Sequence, residues 1–385
     1  AMAWLKKVGL EFPPLHRTSA MSGGEQQRLV VGSAMAAGAR LVLLDEPLAQ
    51  LDPAGASELV RLMRTLADEG CTVVVAEHRL PMLWDAADRL IVLDNGSIHA
   101  DTTFAQAPIE KLSALGLAIP PMLEFKALQG RRALCFSPAP QESAATTKHE
   151  KPEWTIEPAR VVYDGAAEPA VDTDTFEISA NDCIAILGPN GSGKSTLLRH
   201  IRDATAPDSV MVPQNADLTL FNPTALDEVA FGPREQGLSA GDVERRVENA
   251  SLQMGLNTLL DRAPHSLSMG QRVRLAVASA LSCTSKLLLL DEPTSGQDAG
   301  QLRNMMSSLT GGDGAAAMVF TTHDVTMALL HSTRVFLMEH GRIIFDGTPE
   351  AAMSHLAQLD SWLGFCHSHG LPPLTPAQAA ERLDG

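Results

Sequence analysis

One segment of the chain has the residue types and spacing of a phosphate-binding loop. Gly188 and Gly193 enclose four residues and precede Lys194 and Ser195, directly after a short apolar run. Glycines let backbone N–H groups wrap a β-phosphate, and the positive end of the following helix attracts the anion. Lys194 is predicted to contact the β- and γ-phosphates, and the Ser195 hydroxyl to bind Mg²⁺. The predicted nucleotide-binding set is Gly188, Pro189, Asn190, Gly191, Ser192, Gly193, Lys194, Ser195 and Thr196.

A second group of candidate residues follows two later apolar runs. Asp291 and Glu292 come directly after residues 287–290, and His323 comes shortly after residues 318–321. Ligands of α/β sheets bind beyond the carboxyl ends of the strands. Asp291 is predicted to hold Mg²⁺ through water and Glu292 to polarise the attacking water, with His323 keeping the two in line. A solvated acid pair and a structural histidine are the alternatives.

Much of the chain repeats once. Asp45 matches Asp291, and His78 matches His323 at an offset one residue shorter. Such internal repetition indicates two copies of one domain. Only the second copy contains a glycine loop, and the position matching Lys194 falls before residue 1. The first copy is therefore expected to lack its nucleotide-binding half, as a fragment or truncated reading frame would; a degenerate half-domain is the alternative.

Each copy also has a serine and glycine in front of a helical stretch. The first copy reads Ser22-Gly23-Gly24-Glu25, and Ser268-Met269-Gly270-Gln271 stands at the matching place. Small residues at a helix start let N–H groups and the helix dipole approach a phosphate. Ser22, Gly23, Gly24 and Glu25 are therefore predicted to contact the γ-phosphate of a nucleotide that another domain holds.

The pattern of apolar runs predicts an α/β fold. Runs at 41–44, 72–76, 183–187, 287–290 and 318–321 are continuous, as is typical of parallel strands covered on both faces. They alternate with helical patterns, which favours layers of helices around a sheet. The segment between the glycine loop and the second serine–glycine motif is rich in helical patterns and predicts a helical subdomain.

Composition excludes several other classes of protein. At 385 residues the chain is long enough for about two domains. Its net charge of −16 argues against a general nucleic-acid binder. The five cysteines form no C-x-x-C pair, which fits a reducing compartment. The apolar runs are too short to cross a bilayer and no leader pattern is apparent, so a membrane is expected to be reached through a partner.

Three segments are predicted from these patterns. Residues 1–124 form the C-terminal part of the first domain, with a small tail at its end. Residues 125–157, with several prolines and a polar stretch, are interpreted as a flexible linker. Residues 158–385 form a complete second domain whose tail is 347–385.

Taken together, these motifs resemble the nucleotide-binding domains of ABC transporters over nearly the whole chain outside the linker. The resemblance implies a P-loop NTPase fold with a mixed sheet core and a helical subdomain, duplicated and with an incomplete first copy. It implies that ATP and Mg²⁺ lie between the loop of Lys194 and the Ser22 motif, the signature of the other domain. It also implies that Gln214 senses Mg²⁺ and the γ-phosphate and contributes to catalysis. Tyr163 would stack on adenine, and a buried core tyrosine is the alternative.

Two passages, 76–80 and 212–233, resemble the energy-coupling-factor (ECF) type of importer in its tandem-fused form. That resemblance implies that the apolar stretch after Gln214, with Phe221 and Phe231, docks a membrane coupling helix; core packing is the alternative for both rings. Two positions depart from the family pattern. Met269 replaces a glycine of the signature, and Gln297 replaces a leucine that the first copy keeps as Leu51.

The resemblance implies an ATP-hydrolysing subunit that energises an importer of a vitamin or a transition-metal ion. Its expected place is the cytoplasmic face of the membrane, attached to integral membrane coupling and substrate-binding components. Two ATPase domains would pair within the chain or with a second chain, and no nucleic acid is expected. The alternative is a soluble tandem ATPase that acts on ribosomes. Such proteins usually have a long charged helical linker, whereas residues 136–154 contain several prolines.

Overall fold

The protein is described here from a computed structural model. The described residues are 2–10, 18, 21, 23–48, 51, 53–94, 96–129, 152–164, 168–283, 286–294, 297, 299–311, 317–356, 361–369 and 371–383. The chain divides into two compact units, Ala1–Gly130 with Asp298–Gly300, and Arg131–Gln297 with Gln301–Gly385. Each unit is described by itself.

The first unit combines short helices with two separate pairs of strands. Its helices are α1 (Met2–Lys7), α2 (Gly23–Ala36), α3 (Pro53–Asp68), α4 (Leu80–Leu83), α5 (Ile109–Ala114) and α6 (Pro121–Gln129). Its strands are β1 (Leu41–Asp45), β2 (Thr72–Ala76), β3 (Leu90–Asp94) and β4 (Ser97–Thr102). Strands β1 and β2 pair in parallel, and β3 and β4 form an antiparallel hairpin.

The core of the first unit lies between α3 and the strands. Leu59 and Leu66 of α3 are almost fully buried, and Leu48 and Leu112 join the same cluster. Because leucines at this helical spacing share one side of the helix, α3 presents an apolar face to the core. The strands, in contrast, bury few of their apolar side chains.

The second unit contains the remaining elements, with α11 belonging to it from Gln301 onwards. Its strands are β5 (Pro152–Ile156), β6 (Ala159–Val161), β7 (Val171–Thr173), β8 (Phe176–Ser179), β9 (Cys183–Leu187), β10 (Ser209–Val212), β11 (Leu287–Asp291), β12 (Ala317–Thr321), β13 (Arg334–Glu339) and β14 (Arg342–Gly347). Its helices are α7 (Lys194–Thr205), α8 (Ala225–Glu235), α9 (Ala240–Gln253), α10 (Met269–Ser282), α11 (Ala299–Gly311), α12 (Val325–His331), α13 (Pro349–Leu356), α14 (Ser361–Ser368) and α15 (Pro376–Leu383).

A six-stranded sheet organises this unit. Its strand order is β10-β11-β12-β9-β13-β14, and every neighbouring pair is parallel except β13 and β14. Strands β9, β11 and β12 are buried along their whole length, as their continuous apolar sequences predict. The other strands pair as two antiparallel couples, β5 with β8 and β6 with β7.

Helices α8, α9 and α10 pack together as a helical layer of their own. Thr224 and Ser239 cap the first two of these helices, since each side chain accepts a backbone N–H of the first turn. The predicted helical subdomain is thus present, and the described fold is an α/β fold with a mixed sheet.

Both units contain the same braced hairpin. In the first, Arg89 Nη2 donates to Asp101 Oδ2 at 2.6 Å, and in the second Arg334 Nη2 donates to Asp346 Oδ2 at 2.6 Å. In each pair the Nε atom binds the other carboxylate oxygen, which gives the two-point geometry that arginine favours. The structure therefore repeats details that the sequence repeat did not single out.

The predicted limits of the linker, 125–157, are wrong at both ends. Residues up to Gln129 belong to α6, and residues 152–156 form β5, which pairs with β8. The strand forms because Trp154 and Ile156 alternate with polar residues, so that both apolar side chains point to one face and are buried. The rest of the predicted linker, 130–151, lies outside the described residues.

Within the described ranges, none of the helices has both the length and the apolar character needed to cross a membrane.

Candidate functional site

Four parallel strands deliver the candidate residues of the second unit to one edge of its sheet. Strands β10, β11, β12 and β9 are neighbours in that order, and their carboxyl ends point the same way. Gln214 follows β10, Asp291 ends β11, His323 follows β12, and the glycine loop follows β9. Parallel pairing therefore brings together residues that lie far apart in the sequence.

The glycine loop needs its glycines for two physical reasons. Gly193 has a φ of 102°, which side chains rarely permit, and a Cβ there would lie 2.0 Å from the carbonyl oxygen of Ala170. A Cβ on Gly188 would lie 2.4 Å from the carbonyl oxygen of Met338. The backbone of β13 and of the residue just before β7 thus leaves no space for larger residues at these two positions. Between them, Pro189, Asn190 and Gly191 are exposed, whereas Ser192 is buried.

Lys194 begins α7 and folds back over the loop. Its buried side chain donates from Nζ to the carbonyl oxygens of Gly188 at 2.7 Å and Pro189 at 3.0 Å. The ammonium group is thereby held inside the loop, where a phosphate bound by the loop would meet it. Ser195 and Thr196 follow in the first turn of α7, whose positive end faces the same space.

A hydroxyl and a carboxylate lie side by side next to this loop. Ser195 Oγ donates to Asp291 Oδ1 at 2.8 Å, and Asp291 is 4% exposed. Both are oxygen donors of the kind that Mg²⁺ prefers, and proteins usually bind this ion through one or two carboxylates together with substrate phosphates. Ser195 and Asp291 therefore fit a magnesium ion that the phosphates of a nucleotide help to hold.

Glu292 and His323 form the second pair of the site. His323 Nδ1 lies 3.0 Å from Glu292 Oε2, and the two side chains are 17% and 8% exposed. Glu292 has a φ of 49°, in the left-handed region, so the chain turns sharply after β11. The alternative of a solvated acid pair is wrong, because both acids are buried and bonded.

Gln214 and Tyr163 lie at the border of the site. Gln214 is exposed two residues after the end of β10, at the edge of the sheet where Asp291 ends the neighbouring strand. Tyr163 is half exposed, which excludes a buried core tyrosine. Its hydroxyl lies 3.1 Å from Thr196 Oγ1 and accepts a hydrogen bond from Arg199 at 3.3 Å. The roles of both residues stay predictions.

The structure describes the whole of the second signature motif, residues 268–271, but only part of the first, residues 22–25. In the second, Ser268 caps α10 and exchanges hydrogen bonds with Gln271, and Met269 lies 36% exposed at the helix start. In the first, Ser22 lies outside the described residues, while Gly23 and Gly24 begin α2 and Glu25 lies in its first turn. The predicted contact of Ser22, Gly23, Gly24 and Glu25 with a nucleotide stays a prediction.

In the first unit the matching acid and histidine are arranged differently. His78 Nδ1 lies 4.0 Å from Glu46 Oε1 but 3.3 Å from Glu77 Oε1. The Glu77 carboxylate is fully buried and accepts the N–H groups of Leu48, His78 and Arg79. The imidazole is therefore paired with a neighbouring acid and not with the counterpart of Glu292.

Sequence reasoning missed one residue of the site. Thr321 ends β12 and is fully buried, and its hydroxyl contacts both Asp291 and the backbone of Glu292. In the sequence this threonine looks like the last residue of an apolar run. The available signal was that Thr321 is a polar residue paired with Asp291 of the neighbouring strand. This signal can be recognised only once the pairing of the two strands is known.

Comparison with known proteins places the chain in a family. The model of the ABC transporter family matches residues 1–49 and 171–295. A putative ABC transporter ATP-binding protein of Methanosarcina mazei is 32% identical over an alignment of 394 positions, gaps included, which covers 89% of this chain and 67% of that protein. One of Methanosarcina acetivorans is 29% identical over 439 such positions, which cover 98% of this chain and 69% of that protein. The chain belongs to the family of ABC transporter ATP-binding proteins, and it spans about two thirds of the length of these relatives.

A solved structure is similar over most of the chain. The archaeal ribosome recycling factor aABCE1, in its complex with the ribosomal stalk protein aP1, has a TM-score of 0.60 and 23% identity. The match covers 93% of this chain and 70% of that chain. At this identity the likeness shows the fold alone. The predicted fold class, a P-loop ATPase of the ABC type, is confirmed, and the protein is an ATPase of that family.

Proposed function

We propose that this protein is the ATP-hydrolysing subunit of an ECF-type importer for a vitamin or a transition-metal ion. The observation that carries the proposal is a group of exposed apolar side chains on helix α8 and on the segment between Gln214 and that helix. The transported substrate would be chosen by membrane components, with which this subunit would assemble at the cytoplasmic face.

The hydrolytic chemistry is assigned to the second unit. Backbone N–H groups of the glycine loop and the Lys194 ammonium hold the β- and γ-phosphates of ATP. The Glu292 carboxylate accepts a hydrogen bond from the attacking water and orients it towards the γ-phosphorus. His323, 3.0 Å from Glu292, keeps that carboxylate in place and contacts the same phosphate.

Ser195 and Asp291 would hold Mg²⁺, the first directly and the second through water. When bound, the ion neutralises charge that develops on the β- and γ-phosphate oxygens. The Ser195 hydroxyl donates its hydrogen to Asp291 Oδ1 and keeps its oxygen lone pairs, so this hydrogen bond would hold the oxygen ready as a ligand. Gln214, which follows β10, would sense the ion and the γ-phosphate.

The signature of one domain would complete the site of another. We assign this role to Ser22, Gly23, Gly24 and Glu25, paired within the chain or with a second chain. Helix starts bind anions because their N–H groups are free to donate. Domain pairing by ATP and release after hydrolysis would then supply the motion that drives the membrane partner.

The apolar cluster has the chemistry of a docking surface for a helix. Phe221 and Phe231 are 65% and 41% exposed, and their rings meet edge to face with centroids 4.9 Å apart. Leu218 and Leu226 are exposed on the same segment, at 76% and 39%. The alternative that both phenylalanines are core residues is wrong. Clustered exposed aromatic side chains mark sites where another protein binds.

This proposal is tested with membranes. Phe221→Asp combined with Phe231→Asp should abolish binding of the full chain to membrane vesicles that carry the transporter but have been stripped of peripheral proteins. Binding of ATP should change by less than about twofold, since neither ring contacts the glycine loop.

The matched control is Ile344→Asp, which changes another exposed apolar residue, 60% exposed, on the opposite edge strand β14. That variant should bind the vesicles as the unchanged protein does. Equal binding to vesicles by the unchanged protein, the double phenylalanine variant and Ile344→Asp would contradict the proposal. Sedimentation of the unchanged protein with ribosomes and not with vesicles would also contradict it.

A further inference from the structure

The end of strand β12 places a hydroxyl between the two acids of the site. Thr321 lies in register with Asp291 on β11, and its side chain is fully buried. We propose that Thr321 is a positioning residue for ATP hydrolysis, which fixes the Asp291 carboxylate and the Glu292 backbone together. The inference rests on the roles proposed above for these two acids.

The direction of each hydrogen bond follows from the chemistry of the groups. A carboxylate only accepts, so Thr321 Oγ1 donates its one hydrogen to Asp291 Oδ1, at 2.8 Å. The same oxygen atom of Asp291 also accepts from Ser195 Oγ, at 2.8 Å. The Thr321 oxygen is then left to accept the N–H of Glu292, at 2.9 Å. One hydroxyl thus connects Ser195 and Asp291, the pair assigned to the metal, with Glu292, the acid assigned to the attacking water.

This connection matters because Glu292 sits in an unusual backbone conformation. Its φ of 49° lies in the left-handed region, which residues with a side chain adopt rarely. The hydrogen bond from its N–H to Thr321 fixes the peptide that precedes the side chain. The direction of the Glu292 carboxylate towards His323 therefore depends on the Thr321 hydroxyl.

The first unit shows the same turn without the hydroxyl. Ala76 occupies the position of Thr321, and the N–H of Glu46 donates to the carbonyl oxygen of Ala76 at 2.9 Å. Glu46 also has a left-handed φ, of 42°, so the turn itself forms without a threonine. What differs is the histidine, because His78 Nδ1 lies 4.0 Å from Glu46 whereas His323 Nδ1 lies 3.0 Å from Glu292. The turn therefore forms without the hydroxyl, and in the first unit His78 pairs with Glu77 as well, so only replacement of Thr321 itself tests what its hydroxyl does.

The experiment compares three replacements of Thr321 in the full chain. Thr321→Val keeps the shape and removes the hydroxyl, Thr321→Ala copies the first unit, and Thr321→Ser keeps the hydroxyl. Each is measured for kcat and KM of ATP hydrolysis, for thermal unfolding, and for Mn²⁺ affinity by electron paramagnetic resonance with ATP bound. The Mn²⁺ measurement uses a Glu292→Gln background, so that it does not depend on turnover.

We expect Thr321→Val and Thr321→Ala to lower kcat by about 10- to 100-fold, as small displacements of catalytic groups do. KM should change by less than about threefold, because the glycine loop is unaffected. Mn²⁺ affinity should fall several-fold in both, and Thr321→Ser should restore kcat and Mn²⁺ affinity to within about threefold of the unchanged protein.

A matched control removes a buried hydroxyl elsewhere in the unit. Thr205 Oγ1 donates to the carbonyl oxygen of Ile201 at 2.7 Å, at the far end of α7. Thr205→Val should lower the unfolding temperature and leave kcat unchanged. This separates lost stability from lost positioning.

Two results would overturn the inference. One is a folded Thr321→Val protein with kcat and Mn²⁺ affinity within twofold of the original. The other is a Thr321→Ser protein as impaired as Thr321→Ala, which decides the matter if the valine variant does not fold. Retained hydrolysis in Glu292→Gln would instead contradict the proposed function, so the two failures can be told apart.

Discussion

The two copies of the acidic strand have nearly the same sequence and very different surroundings. Strand β1 alternates between exposed and buried positions, whereas β11 is buried throughout. Leu43 is 69% exposed, and its counterpart Leu289 is fully buried. In the second unit β11 lies between β10 and β12, but β1 pairs with β2 alone in the described part of the first. A continuous apolar run thus predicts a strand, while its burial depends on neighbours from distant parts of the chain.

The chemistry of the two copies differs in the same way. Both have an acid in a left-handed turn after the strand, so this local geometry is carried by each copy's own sequence. The histidine binds that acid closely only in the second unit, since Glu77 takes it in the first. Repetition of motif residues therefore does not imply repetition of the site.

The largest effect is expected from removing the water-orienting acid. Glu292→Gln should lower ATP hydrolysis by about 10²- to 10⁴-fold, the range that a positioned base contributes, while ATP binding persists. The matched Glu46→Gln variant should change the rate by less than about threefold, because its histidine is paired elsewhere. Steady-state phosphate release measures both. Equal losses in the two variants would show that the copies are functionally alike.

The second comparison concerns burial of the strands. Leu289→Ala should lower the free energy of unfolding by about 2–5 kcal/mol, because it leaves a cavity in a fully buried sheet. Leu43→Ala should cost less than about 0.5 kcal/mol, as exposed substitutions usually do. Urea unfolding of the two variants tests this. A large loss from Leu43→Ala would mean that β1 is covered by further parts of the protein.

The third comparison concerns a buried glutamine at a place where the first copy has leucine. Gln297 is 3% exposed, and its Oε1 atom has no hydrogen-bond partner among the described residues. Its Nε2 atom donates to the Pro293 carbonyl oxygen at 3.0 Å, and leucine would lose this hydrogen bond. Gln297→Leu should therefore raise the free energy of unfolding by less than about 1 kcal/mol. Leu51→Gln, which places an amide in a site that is 2% exposed, should lower it by about 1–3 kcal/mol. Destabilisation by Gln297→Leu would show that this oxygen has a partner in solution.

The smallest expected effect depends on pH. Burial lowers the pKa of His331, so the folded second unit disfavours its protonated form. Below the ordinary histidine pKa of about 6.5 the unfolded chain binds more protons than the folded one, and stability falls as the pH falls. His331→Ala, which copies Ala86 of the first unit, should lose less stability between pH 7 and pH 5. Urea unfolding of the unchanged protein and of His331→Ala at several pH values measures this. If the free energy of unfolding depends on pH identically in the two proteins, this histidine does not contribute.

The fold and most of the candidate site could be predicted from the sequence because their signals are local. A glycine loop after an apolar run, and acids at the end of another, each lie within a few residues of one another. The strand pairing that joins them is not local, and Thr321 went unnoticed for that reason. The same limitation applies to Glu77, whose pairing with His78 depends on how a buried carboxylate is satisfied.

The linker limits were misjudged for a related reason. Proline and polar residues indicated an irregular segment, but Trp154 and Ile156 find a partner strand in β8 further along the chain. Exposure of Phe221 and Phe231 was also open in the sequence, since an aromatic side chain fits a core as well as a docking surface. Only the packing of α8 decides between the two.

The most direct test of the account is a crystal structure of the Glu292→Gln protein with ATP and Mg²⁺. We expect the triphosphate to lie in the glycine loop, with Lys194 Nζ on its β- and γ-phosphates and Ser195 Oγ at about 2.1 Å from the metal. The carboxamide at position 292 should face the γ-phosphate beside His323. A nucleotide bound elsewhere, or a metal that Ser195 and Asp291 do not approach, would contradict the assignment of this site.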